Sequence, residues 1–223
     1  MKISVIIPAL NEEEAVGGAI LSASGSGEVI VVDGGSDDGT REVAEKHGAR
    51  FVRCGRGRGL QMDEGAKAAS GDIVLFLHAD TRLPAGWPVA VRKAMSRAGV
   101  AGGAFQLKID SPRTLFRVIE TAANMRARYL GLIFGDQAIF TDRETFFALP
   151  SLRGLPLMED VECVKRLRRR GKVVVVSASV ATSPRRWSKG RALSTTLKNW
   201  SLLIRYLLGA SPEKLYLRYY HNR

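Results

Sequence analysis

Four short apolar runs, at residues 3–7, 29–32, 50–52 and 73–77, recur through the first 80 residues, with helix-like stretches at 12–24, 40–47 and 60–70 between them. This rhythm constrains the fold more than any other feature of the chain. Strand, helix, strand at such spacing reads as βαβ units, and hence as a mostly parallel sheet with helices on its faces. The runs are rich in Val and Ile without polar alternation, as expected of strands covered on both sides. Right-handed crossovers place the C-terminal ends of such strands along one edge of the sheet, where ligands of open α/β folds bind.

The second half is less regular. Residues 101–109 read as a strand, 112–129 as a helix, 138–140 as a short strand, 161–170 as a helix and 173–176 as a buried strand. The change from strict βαβ to mixed order predicts one α/β domain whose sheet gains antiparallel pieces. The chain has no internal repeat, low-complexity tract or obvious linker.

Polar, glycine-rich segments follow the early strands. They are Pro8-Ala9-Leu10-Asn11-Glu12-Glu13, Asp33-Gly34-Gly35-Ser36-Asp37-Asp38-Gly39-Thr40, Gly55-Arg56-Gly57-Arg58-Gly59 and His78-Ala79-Asp80-Thr81. These loops should converge on one crevice. A dinucleotide-binding Rossmann site needs GxGxxG directly after the first strand, and Pro-Ala-Leu-Asn-Glu does not supply it; a Walker A loop is also missing.

Together with Met158-Glu159-Asp160-Val161-Glu162, three of these segments resemble, in order, the motifs of family 2 glycosyltransferases. Those are GT-A fold enzymes that use nucleotide-diphosphate sugars. The resemblance covers roughly residues 1–190. Gly59-Leu60-Gln61-Met62, Gly135-Asp136-Gln137-Ala138 and Arg185-Arg186-Trp187 are similar to a compact bacterial subgroup of undefined substrate. The implied fold is a GT-A-like mixed sheet flanked by helices. Residues 1–82 would form a nucleotide-binding half, 83–190 an acceptor half and 191–223 a basic helical extension.

The resemblance implies roles residue by residue. Asp33 would accept the ring N–H of the base, commonly uracil, with a turn aspartate as the plain alternative. Pro8, Ala9 and Glu12 would frame the base pocket, although Asn11 or Glu12 could equally cap the first helix. Arg58 would meet the diphosphate, as arginine's fork suits phosphate oxygens, and Gly59 and Gln61 would line the base or ribose. Relatives often carry Asn where this chain has Asp63. Asp80 is the expected ligand of a divalent cation, Mn²⁺ or Mg²⁺, bridging the diphosphate. The family's Asp-x-Asp is His-x-Asp here, so His78 either approaches the ribose, supports the metal or packs at the strand end. Asp160 is the expected catalytic base of an inverting transfer, removing the acceptor hydroxyl's proton. Glu159 would orient the acceptor or support Asp160, while Glu162 should face elsewhere. Asp136 is an acceptor contact or a turn residue. Arg186 would close over the diphosphate and Trp187 present an aromatic surface to a sugar.

Charge refines the partners. The net charge of +12 suggests nucleic acid at first, but residues 165–223 hold 15 basic residues and one acid, leaving a balance of −2 on residues 1–164. A near-neutral body with a basic tail disfavours nucleic acid and suggests an anionic membrane surface, and with it a lipid-linked acceptor. Residues 193–208 would be a core-packing helix or an amphipathic helix at such a surface. Cys54 and Cys163 lack metal or disulfide spacing, which fits a reducing cytosol. The N-terminus enters a strand at once, with no signal-peptide core. The rivals are a sugar-nucleotidyltransferase, whose glycine-rich Arg/Lys loop after the first strand is missing, and a non-catalytic nucleic-acid- or membrane-binding domain on the same fold.

Overall fold

The computed structural model describes residues 1–25, 27–187 and 192–221. Its first half realises the βαβ reading. Strands β1 (Ile3–Ala9), β2 (Glu28–Asp33), β3 (Arg50–Arg53) and β4 (Ile73–Phe76) alternate with helices α1 (Val16–Ser22), α2 (Thr40–Lys46) and α3 (Arg58–Ala68). β1 pairs in parallel with β2 and β4, and β2 with β3. Ile3, Val5, Ile6, Ile7, Val31, Val32, Val74 and Leu75 are all fully buried, because helices cover both faces.

After β4 come β5 (Thr81–Arg82), α4 (Trp87–Met95), β6 (Val100–Ile109), α5 (Thr114–Met125), β7 (Ile139–Asp142), α6 (Arg143–Phe147), α7 (Glu159–Arg168) and β8 (Lys172–Thr182). Helices α8 (Ala192–Leu207) and α9 (Pro212–His221) follow. Among the described residues the sheet has eight strands in the order β3-β2-β1-β4-β7-β6-β8-β5. β7 runs antiparallel to β4 and β6, and β5 antiparallel to β8. The antiparallel pieces expected of the second half are therefore present.

This pairing positions the site. Since β7 opposes β4, its start lies beside the end of β4, with Phe76 facing Ile139. β6 and β8 are parallel to each other, so Thr182 comes out beside Ile109. The residues before β7 and after β8 thus reach the same edge as the ends of β1, β2 and β4.

Three elements depart from their sequence expectation. α1 starts at Val16 rather than near residue 12, since the backbone N–H groups of Asn11, Glu12 and Glu13 donate to Ser36 Oγ, Thr40 Oγ1 and an Asp38 carboxylate oxygen. The acidic run is tied across to the β2 loop instead of entering the helix. The helix expected over 112–129 is α-helical only to Met125, and Arg126–Leu130 forms a π-helical turn. β8 continues well past residue 176, kept in register with β6 through an irregularity between Ala104 and Gln106. Both cysteines are free thiols, and burial pushes the Cys163 thiol up to about 12, so it is inert at neutral pH.

Candidate active site

At the end of β2, the Asp33 carboxylate accepts from Gly35 N–H at 2.9 Å and from Ser36 N–H at 3.0 Å, and it also bonds the Ser36 hydroxyl. The turn it shapes opens onto a cleft of about 260 Å³ lined by Asp33, Ser36, Asp38, Arg41, Phe51 and Arg53. An aromatic ring, two arginines and fixed carboxylates suit a planar, hydrogen-bonding base. Pro8 and Ala9 form the adjoining strand end, in register with Val32 and Asp33.

Two residues expected to line the base instead hold the frame. The Gln61 side-chain amide donates to the Ala9 carbonyl at 2.7 Å and to the Val32 carbonyl at 2.8 Å, stitching β1 to β2 from below. A Cβ on Gly59 would sit 2.1 Å from the Leu152 carbonyl oxygen, so glycine lets α3 approach that loop. Asp63, also on α3, accepts from the backbone N–H of Leu152 and Arg153. Gly59→Ala should therefore lower unfolding stability by about 2 kcal/mol, the usual cost of overpacking. Gly154→Ala, whose new methyl would meet nothing within 4 Å, should stay within about 0.5 kcal/mol. Urea unfolding of the two variants checks the contrast.

The end of β4 brings His78 and Asp80 to the same sheet edge. The Asp80 carboxylate lies 3.8 Å from Arg185, whose Nη2 donates to Glu12 Oε2 at 2.6 Å. Arg185 follows β8 on a 3-10 turn, Pro184–Trp187. Glu12, which lies 173 positions earlier, raises its pKa, with Asp80 adding less. Arg185 thus faces Asp80 and Glu12 in this structure. The side chains of Arg186 and Trp187 lie outside the described residues.

Across the cleft, Asp160 sits in the first turn of α7. Its Oδ1 accepts from Val161 N–H at 2.7 Å and its Oδ2 from Gly135 N–H at 2.6 Å. These two bonds aim a half-buried carboxylate at the sheet edge and leave its remaining lone pairs available. A Cβ on Gly135 would fall 2.5 Å from His78 Nε2 and 3.3 Å from Asp160 Oδ2. Gly135 thus lets the β4 end, the turn before β7 and the start of α7 meet at one point. Glu159 is buried and pairs with Arg58 at 3.1 Å. Burial raises the Glu159 pKa and adjacent Asp160 adds to this, while Arg58 works against both. Arg58, expected on the diphosphate, is here the counter-ion that ties α3 to α7. Glu162 faces away as expected, bonding Arg166 and the Tyr206 hydroxyl.

Asp136 lies on the 3-10 turn Gly135–Gln137, next to Asp160. One further group was not singled out in the sequence. Arg126, on the π-turn, is 5% exposed and stacks with its Cζ 3.7 Å from the centroid of the Phe134 ring. The charges it feels are those of Asp136 and Asp160. No short motif marks it, and in the sequence it looks no different from Arg117 and Arg128 in the same helical stretch.

A mixed sheet with a base-sized cleft at β2, an acidic end to β4 and a carboxylate facing it from a helix start defines a GT-A-like fold. A family model described as Glycosyl transferase family 2 matches residues 4–154, and the chain belongs to that family. An uncharacterized glycosyltransferase of Mycobacterium tuberculosis is 36% identical over 85 residues, which is 38% of this chain and 39% of the relative. Glucosyl-3-phosphoglycerate synthase of Mycolicibacterium paratuberculosis is 38% identical over 94 residues, 35% of this chain and 28% of the relative. The matched stretch thus spans less than half of these relatives' length. Among solved structures, glucosyl-3-phosphoglycerate synthase from Mycobacterium tuberculosis in complex with Mg²⁺ and UDP has a TM-score of 0.61 and 25% identity, covering 81% of this chain and 71% of that one. The same enzyme with Mn²⁺, UDP-glucose and phosphoglyceric acid has a TM-score of 0.59 and 27% identity, again covering 81% and 71%.

Proposed function

We propose that this chain is an inverting glycosyltransferase that moves a hexosyl group from a nucleotide-diphosphate sugar, UDP-linked, to an acceptor hydroxyl. The observation carrying this reading is the Asp160 carboxylate, held by Gly135 and Val161 N–H groups at the sheet edge that also carries Asp33 and Asp80. Similar structures that hold UDP and a divalent cation support the donor class.

Among the described residues no three His, Cys, Asp or Glu side chains cluster to hold a metal on their own. That suits a hard cation that takes one protein carboxylate and completes its shell with diphosphate oxygens and water. Asp80 would hold Mn²⁺ or Mg²⁺, with His78 beside it; when bound, the cation supplies positive charge to the diphosphate. The chain's own residues do the rest. Asp33, Pro8, Ala9 and the Phe51–Arg53 wall seat the nucleotide. Arg185, drawn to the spot by Glu12 and Asp80, offers its guanidinium to the departing diphosphate. Asp160 takes the proton of the acceptor hydroxyl as that oxygen bonds to the anomeric carbon. The bond from that carbon to the diphosphate breaks on the opposite face, its electron pair leaving with the nucleotide. Glu159, locked to Arg58, fixes the start of α7 and so the aim of Asp160. UDP release from UDP-sugars in the presence of Mn²⁺ and an acceptor pool, with the anomeric configuration of the product read by NMR, tests the proposal. Absence of UDP release from every UDP-sugar would refute the transferase reading.

We place the transferase in residues 1–190 and read 191–223 as a buttress that also meets a membrane. The inner face of the C-terminal helices supports the first role, since Leu202, Leu203 and Leu215 pack with Met158 and Val161, on either side of Glu159 and Asp160. The outer face of α8 supports the second. Leu197, Ile204 and Leu207, with Leu208 just beyond the helix end, are exposed, and exposed Arg205, Lys214 and Arg218 belong to α8 and α9. Like charges beside an apolar stripe oppose self-association and favour an anionic bilayer. Among the described residues no helix is long and apolar enough to cross a membrane. The proposed placement is therefore peripheral, on the cytoplasmic face, with a lipid-linked acceptor within reach. At low salt the protein should float with phosphatidylglycerol vesicles but not with phosphatidylcholine alone. The double substitution Ile204→Glu, Leu208→Glu should abolish flotation, and failure to bind either vesicle would remove the membrane role.

A further inference from the structure

Helix α5 and the π-turn that extends it carry apolar residues on two faces. Phe116, Ile119 and Ala127 are buried on the inner face. On the outer face, Leu115, Val118, Ala122, Met125 and Tyr129 are all exposed and follow one another at helical spacing, which aligns them in a single stripe. Val118 is 64% exposed, Met125 55% and Tyr129 73%, with exposed Leu130 at the end of the stripe. Single exposed apolar residues are ordinary on a protein surface, but an aligned run about 21 Å long marks a contact face.

The charges beside the stripe decide what covers it. Exposed Arg113, Arg117 and Arg128 belong to the same segment, whose only acid, Glu120, is buried and pairs with Arg117 at 2.9 Å. Exposed Arg168 reaches the far end, donating to the Leu130 carbonyl at 2.9 Å. Asp110, ahead of α5, faces Arg82 at 3.6 Å. A second copy laid antiparallel on the stripe would set Arg113 of one copy against Arg128 of the other, which opposes self-association. An anionic bilayer fits instead: the stripe enters the acyl boundary while the guanidinium groups reach lipid phosphates. A groove of about 240 Å³, lined by Gln106, Met125, Arg128 and Tyr129, opens beside the stripe and has room for a head-group phosphate.

Resting on the peripheral placement proposed above, we infer that the outer face of α5 and its π-turn is a second docking surface for an anionic phospholipid bilayer, so that the half of the chain proposed to take the acceptor also lies on the membrane. The two surfaces join through Leu132, which follows the stripe and packs on the cluster of Leu202, Leu203 and Leu215. Linked surfaces act together, so losing either lowers the affinity many-fold.

A solvatochromic dye attached at Val118→Cys, in protein that also carries Cys54→Ser, reports the contact; the remaining thiol, Cys163, is buried. Phosphatidylglycerol vesicles should shift its emission to the blue, and phosphatidylcholine alone should not. The control is the same dye at Val89→Cys, since Val89 is 67% exposed but α4 packs on the opposite face of the sheet; its emission should not move. The double substitution Val118→Glu, Tyr129→Glu should weaken phosphatidylglycerol binding at least about tenfold, since two apolar side chains no longer leave water, with UDP affinity unchanged. Flotation of the protein without a shift at Val118, or an equal shift at Val89, would overturn the inference and leave the α8 surface standing. Absence of flotation would end both. A blue shift that grows with protein concentration in the absence of vesicles would seat a second copy on the stripe, and it too would overturn the inference.

Discussion

Asp160→Asn is expected to lower turnover about 10³-fold, within the usual range for removing a general base, and to leave UDP affinity nearly unchanged. The two parts of that expectation have separate physical causes. Asp160 bonds the turn before β7 and the start of α7, the side proposed for the acceptor, whereas the cleft proposed for the base lies at β2 and β3. Among the described residues, none of those lining that cleft bonds Asp160. An amide cannot take the hydroxyl proton, and about 4 kcal/mol of barrier returns with a 10³-fold loss. One local cost must be kept apart from the chemistry. Both carboxylate oxygens accept backbone N–H groups, so the amide's NH₂ has to face one of these donors, costing about 1–3 kcal/mol of stability. Thermal unfolding beside single-turnover kinetics separates the terms. A variant that keeps full transfer would show that another group removes the proton.

Asp80→Asn should act on the opposite half of the reaction. Replacing the proposed metal ligand is expected to weaken Mn²⁺-dependent UDP binding about 100-fold, at the upper end of what changes around a metal site cost. Metal-free UDP binding should hardly change. The substitution conserves shape, and the Asp80 carbonyl bond to Ser183 N–H is untouched, so the fold should persist. Arg185 keeps its stronger partner, Glu12, at 2.6 Å. Calorimetric titration with Mn²⁺ and with EDTA reads both states. Equal UDP affinity in the variant and the parent with Mn²⁺ would place the cation elsewhere.

The sheet edge was legible in the sequence because short Val and Ile runs, closed by Gly, Asp and Asn, carry both strand and turn information locally. Asp33 and Asp80 arrive at that edge for this reason, whereas Asp160 was singled out by the resemblance of its motif and reaches the edge through its bond to Gly135. What escaped depends on partners distant in the chain. Arg58 meets Glu159 across 101 positions, and Glu12 meets Arg185 across 173. No motif fixes such pairs, and so the place of Arg185 beside Asp80 was not legible. Gly59 and Gln61 lie in a ligand-like motif, yet packing against Leu152 and the carbonyls of Ala9 and Val32 claims them. Arg126 was hidden in helical periodicity, since a π-turn at the end of α5 has no composition of its own. The late start of α1 has a similar origin: side chains from the β2 loop compete for N–H groups that a helix would otherwise leave open.

The pairing of Arg58 with Glu159 also explains why the cleft tolerates three acids on one side. Arg58 offsets the charge of Glu159, while the carboxylate of Asp160 is held by the N–H groups of Gly135 and Val161. The C-terminal helices then hold the same segment from outside through Met158 and Val161. The C-terminal helices thereby support the turn that carries Asp160, and in the proposal above they also offer a surface toward an anionic bilayer.

The most direct test is a calorimetric titration of the unmodified protein with UDP in the presence of Mn²⁺ and again in EDTA. Binding at a 1:1 ratio that is strong with Mn²⁺ and at least about tenfold weaker in EDTA is the expected result, as for a nucleotide diphosphate held through a cation. No binding of UDP under either condition would contradict it.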